Sequence, residues 1–101
     1  MKEQLNLVDH IALNVADISR AVHWYTTSFN CKLVYQNASE AMIQFGNIRL
    51  QLILPSQVPQ HIALRRPDAG SFGELRESQA GFVSTFVSDP TGNMIEIINE
   101  S

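Results

Sequence analysis

Apolar and polar residues alternate with a period of two along most of this chain, and a stripe at helical spacing follows the first such run. Between Leu7 and Val15 it sets Ile11, Leu13 and Val15 on one face and Val8, His10, Ala12 and Asn14 on the other, which predicts a strand. Ile18, Ala21, Val22, Tyr25 and Phe29 then recur as one face of an amphipathic helix of about three turns. Asp17 is placed to accept from the first free amides of that helix, and Asn30 to close it in the left-handed conformation. Three strands are predicted next, at 32–36, 41–45 and 48–54, with turns at 37–39 and 46–47. In the third, Ile48, Leu50, Leu52 and Leu54 form an apolar face, and Arg49, Gln51 and Ile53 lie opposite. The first five or so residues carry no such pattern and are expected to be disordered.

Pro55-Ser56-Gln57-Val58-Pro59 interrupts the alternation, and then the opening theme returns. His61-Ile62-Ala63-Leu64 repeats His10-Ile11-Ala12-Leu13 letter for letter, which points to a duplicated unit. Module one is expected over about 6–54 and module two over about 60–99, within a single domain of residues 1–101. Residues 65–81 hold a short helix at best, around Phe72, Leu75 and Arg76, so the second module reads as shortened, missing a strand and most of its helix. A strand over 81–88 follows, then the Asp89-Pro90-Thr91-Gly92-Asn93 turn. In the last strand Ile95 and Ile97 face one way while Met94, Glu96 and Ile98 face the other.

Glu96 is thus a carboxylate between two apolar neighbours, costly to bury unless something positive meets it. His10 and His61 open the first strand of each module, and Gln51 and Glu96 stand on the last. Two imidazoles, an amide oxygen and a carboxylate suit a divalent ion that keeps open positions for water or substrate. Each residue alone has a plainer reading, since a strand histidine is more often a packed structural side chain than a ligand, and it is the joint placement that favours the ion. His23 falls on the solvent side of the helix, and Arg65-Arg66 reads as exposed charge. Trp24 and Tyr25 read as helix packing, and Cys31 as a small apolar filler.

Composition narrows the classes. The 101 residues are 45% hydrophobic and 17% charged, enough for one globular core but a small one, so a homodimer covering further apolar surface is expected. A net charge of −3 and a single basic pair argue against a nucleic-acid partner. One cysteine cannot form an internal disulfide, and no apolar run reaches the length of a membrane span or a signal-peptide core. The expected location is the cytoplasm, with no membrane partner. There is no Ser-His-Asp order, no phosphate-cradling glycine loop and no cysteine pair.

The segments Asp9 to Asp17, Ala21 with Trp24-Tyr25, His61 to Leu64 and Asp89 to Glu96 resemble the vicinal oxygen chelate superfamily, which contains glyoxalase I, methylmalonyl-CoA epimerase, extradiol dioxygenases and bleomycin-resistance proteins. The resemblance implies an α+β fold of paired βαβββ modules forming a cupped mixed sheet around a divalent metal (zinc, nickel, cobalt, manganese or iron) and completed by dimerisation. It places the metal ligands at His10, Gln51, His61 and Glu96, a set similar to that of the epimerases, and implies that Glu96 moves a proton beside a carbonyl. The implied function is a metal-dependent lyase or isomerase acting on a small carbonyl or α-hydroxy-carbonyl compound. Two other readings stay open: an extradiol-type Fe(II) dioxygenase using His10, His61 and Glu96 alone, and a non-catalytic module that binds a drug-like small molecule.

Overall fold

The computed structural model describes residues 5–78 and 81–100, so the expectation about the N-terminal residues falls largely outside the described residues. The fold is α+β; the described residues form eight strands and one α-helix in the order β1 (Leu7–Asn14), α1 (Ile18–Ser28), β2 (Lys32–Gln36), β3 (Glu40–Gln44), β4 (Arg49–Ile53), β5 (His61–Arg66), β6 (Arg76–Glu77), β7 (Val83–Ser88) and β8 (Met94–Asn99). A 3-10 turn, Ala69–Ser71, follows β5. The chain forms two compact units, one of His10–Gln60 and one running from His61 onward together with the residues up to Asp9.

In the first unit the strands lie in the order β2-β3-β4-β1. β1 and β4 are parallel, with Ala12 beside Gln51, and β4, β3 and β2 are antiparallel neighbours, so the sheet is mixed. The alternation read from the sequence decides which face the helix covers. Ile18 and Val22 of α1 pack with Ala41, Ile43, Leu50 and Leu52, and Ile11, Leu13, Val15, Tyr25, Phe45 and Leu54 surround them. Cys31 joins this cluster as a free thiol, the filler expected of it. Asp17 caps α1 as expected, accepting from the Arg20 amide at 2.9 Å.

The end of α1 differs from expectation. The helix stops at Ser28 with Phe29 extended (φ −135°), and among the described residues no residue other than glycine has positive φ, so Asn30 is not a left-handed cap. Phe29 is drawn out of the helix one residue early, its ring lying 6.4 Å from that of Phe45 and 5.6 Å from that of Trp24. Trp24 itself is 55% exposed and packs edge-on to Tyr25 and Phe29 on the outside, not into the core. Beyond β4, Asn14 fastens the connecting segment: its side chain donates to the Val58 carbonyl at 2.9 Å and its amide donates to Gln60 Oε1 at 3.0 Å.

The second unit repeats this plan in the order β5-β8-β7-β6. β5 and β8 are parallel, with Ala63 beside Glu96, and β8, β7 and β6 are antiparallel. Module two has therefore lost no strand: β6 survives as two residues, and Arg76, expected near a short helix, is one of them. The helix has gone. In its place stand the 3-10 turn and the Gly73 loop, a covering too short for a whole sheet face, and Ile62 is left 38% exposed where its counterpart Ile11 packs under α1.

Gly73 marks where this substitute covering presses closest. A Cβ built there would come 2.7 Å from Thr85 Oγ1, whereas one at Gly70 would meet Leu75 at an ordinary 3.7 Å. Gly73→Ala is expected to cost about 1–3 kcal/mol and Gly70→Ala much less, read as unfolding midpoints in urea.

Candidate metal centre

In each unit the face turned away from the helix, or from its remnant, carries the polar residues singled out from the sequence. His10 and Gln51 share that face in the first unit: Ala12, two residues after His10, is the parallel partner of Gln51, and both side chains are buried. Gln51 donates from Nε2 to Glu40 Oε1 at 2.6 Å, and Glu40 is itself buried at the start of β3. Tyr35, brought opposite Met42 by an irregularity in β2, lies against the same carboxylate. Burial first, and then the Glu40 charge, push its phenol up to about 12.

His61 and Glu96 meet in the second unit. His61 Nε2 lies 3.2 Å from Glu96 Oε1, with side chains only 2% and 4% exposed. Ser84 Oγ donates to the other carboxylate oxygen, Oε2, at 2.7 Å. Phe86 stands edge-on to the His61 ring, 5.1 Å between centroids, and is itself partly exposed. The turn before β8 is fixed by Asp89, which accepts from the amides of Thr91 and Asn93 and from the Asn93 side chain; these bonds, Asn93 first, hold its carboxyl below the usual aspartate range. Gly92, at φ +95°, supplies the left-handed step that the turn needs.

The donor chemistry of the second unit fits an ion. Two ligands bound at right angles at about 2.1 Å stand about 3 Å apart, close to the His61–Glu96 separation. Ser84 occupies Oε2 while Oε1 is the oxygen turned toward the imidazole, the arrangement by which a neighbouring donor aims a ligating carboxylate.

Other expectations have plainer outcomes. His23 is exposed on α1. Arg65 and Arg66 both meet carboxylates, Arg65 Nε lying 3.2 Å from Asp9 and Arg66 Nε 2.6 Å from Asp68. Among the described residues no helix is long and apolar enough to cross a membrane. Sequence reasoning passed over Glu40, Ser84 and Phe86. Glu40 falls between the turn at 37–39 and the strand start at 41 read from the pattern, and so belongs to neither; Ser84 and Phe86 lie on the polar face of an expected strand, where their bonding partners cannot be read from sequence.

A family model described as Glyoxalase/Bleomycin resistance protein/Dioxygenase superfamily matches residues 7–76. The chain belongs to this superfamily. No curated protein matches its sequence. Among solved structures of the glyoxalase-like fold, a hypothetical protein from Bacillus halodurans C-125 aligns at TM-score 0.74 with 16% identity over 97% of this chain and 96% of its own. A methylmalonyl-CoA epimerase solved with methylmalonyl-CoA aligns at 0.73 with 20% identity over 94% of both chains. A lactoylglutathione lyase from Agrobacterium tumefaciens aligns at 0.47 with 17% identity over 91% and 92%. The two alignments above 0.7 carry the fold across both modules, including the residues beyond the family match.

Proposed function

We propose that His10, Gln51, His61 and Glu96 hold one divalent metal ion, and that the protein is a metal-dependent lyase or isomerase acting on a small carbonyl or α-hydroxy-carbonyl compound. The observation that carries this reading is the buried His61–Glu96 pair at 3.2 Å with the second carboxylate oxygen held by Ser84. Family membership supports it, and so does the repetition of a histidine and a polar side chain at equivalent strand positions in both modules. An ion so bound would polarise a substrate carbonyl and make the adjacent C–H more acidic. Glu96 is the carboxylate of the set, and its part is to accept a proton from that carbon and return it. Phe86, apolar and partly exposed next to His61, offers a wall for the carbon skeleton of the substrate.

Apolar side chains exposed on the surface, Trp24 and Phe29 among them, support a homodimer, which sedimentation at micromolar concentration checks. The ion is tested by equilibrium dialysis of purified protein against Co2+ or Zn2+. Wild type should bind one ion tightly, and His10→Ala and His61→Ala should each weaken binding by more than the roughly 100-fold that marks the upper range for groups merely supporting a ligand. Retention of the ion by both variants at wild-type strength would rule the centre out.

A further inference from the structure

The registers of the two units align residue for residue. Gln51 on β4 stands opposite Met42 on β3, and two positions along, Ile53 stands opposite Glu40. Glu96 on β8 stands opposite Phe86 on β7, and two positions along, Ile98 stands opposite Ser84. Ala12 and Ala63 flank Gln51 and Glu96 from the parallel side. Glu40 and Ser84 therefore occupy the same place in the repeat. Both reach diagonally to the side chain on the next strand: Glu40 accepts from Gln51 Nε2 at 2.6 Å, and Ser84 donates to Glu96 Oε2 at 2.7 Å.

We infer that Glu40 and Ser84 are equivalent positioning residues, each fixing the outer atom of a metal ligand so that the remaining oxygen faces the ion. The inference rests on the proposal that Gln51 and Glu96 are ligands. The two ends of a glutamine amide have nearly the same size, so packing alone does not choose between them, yet only the oxygen can bind a cation. An ionised carboxylate accepts and cannot donate, so Glu40 selects the NH2 end of Gln51 and turns Oε1 away from itself. At the equivalent position the ligand is a carboxylate, and the supporting group is a hydroxyl that donates. The supporting groups have thus diverged to match their ligands: an acceptor against the amide nitrogen, a donor against the carboxylate oxygen. Duplication alone would have kept them alike. Both Glu40 and Ser84 are buried, where a mismatched polar pair would cost stability and not simply go unused.

Co2+ affinity of the full chain, with the visible absorption of the bound ion as a second readout of ligand geometry, provides the test. Glu40→Leu and Ser84→Ala should each weaken binding by about 10–100-fold and alter the spectrum, while Glu40→Gln, whose amide oxygen still accepts from Gln51, should stay within about threefold of wild type. In a Gln51→Ala background Glu40→Leu should add nothing further, since its partner has gone. Thermal melts confirm folding, and Ser84→Ala, the loss of one hydroxyl, serves if Glu40→Leu does not fold. Wild-type affinity in both Glu40→Leu and Ser84→Ala, with weakened binding in Gln51→Ala and Glu96→Gln, would overturn this inference and leave the metal centre standing. Undiminished binding in Gln51→Ala and Glu96→Gln would overturn both.

Discussion

Glu96→Gln is expected to slow turnover by about 10²–10⁴-fold through the missing proton acceptor alone. The substitution keeps the size of the side chain and leaves an oxygen to accept from Ser84 Oγ, so packing at this buried position changes little. What it removes is the negative charge beside His61 and the basicity of the carboxylate. Metal affinity should fall as well, because with Ser84 Oγ donating to the amide oxygen it is the NH2 end, which cannot bind a cation, that faces the ion. The two losses are separated by raising the metal concentration until the variant is saturated. The rate that remains then reports the proton acceptor. The measurement is deuterium uptake from D2O at the carbon beside the carbonyl in small α-hydroxy-carbonyl compounds, followed by NMR. Saturated Glu96→Gln exchanging at the wild-type rate would remove Glu96 from the chemistry. Oxygen uptake with catechols by the Fe2+-loaded protein, unaffected by Gln51→Ala, would favour the dioxygenase reading instead. Tight small-molecule binding by metal-free protein without exchange would favour the binding module.

What the sequence made legible follows from how each residue earns its position. The strand faces could be read because burial on one side of a sheet imposes a period of two: Ile11, Leu13, Leu50 and Leu52 were assigned to the covered face, and they pack there under α1. His10, Gln51, His61 and Glu96 stood out for the same reason, as polar residues on the opposite face at repeated places. Glu40 and Ser84 did not, because their significance lies in a cross-strand diagonal, and a diagonal depends on register that turns and irregularities set. The break between Leu33 and Tyr35 in β2 is such a case: it sets Tyr35 opposite Met42, close to Glu40, a placement that simple alternation does not give. The end of α1 is not legible locally, because Asn30 has the right chemistry for a cap while the ring that Phe29 packs against is that of Phe45, sixteen residues on. The strand thought lost from module two was hidden by its length, since two residues carry no periodicity.

The largest stability effect should come from the covered side of module one. Leu52 is fully buried on the central strand under α1, in contact with the Ile18–Val22 stripe and its neighbours Ala41, Ile43 and Leu50. Leu52→Ala removes three methyl-sized groups from a site whose walls are strands and helix, which limits collapse, and is expected to cost about 2–5 kcal/mol. For a small domain stable by about 5–15 kcal/mol this is a substantial fraction, visible as a lowered urea midpoint with unchanged slope. Ile62→Ala provides the contrast. It lies on the corresponding face of module two, where no helix covers it, and at 38% exposure its truncation should cost about 1 kcal/mol or less. Equal losses at the two positions would mean that the 3-10 turn and the Gly73 loop cover module two as well as α1 covers module one. The expected inequality says instead that duplication retained the polar face of both modules, His61 and Glu96 included, while the apolar backing of the second was reduced to little more than Ala69, Thr85 and Ile97.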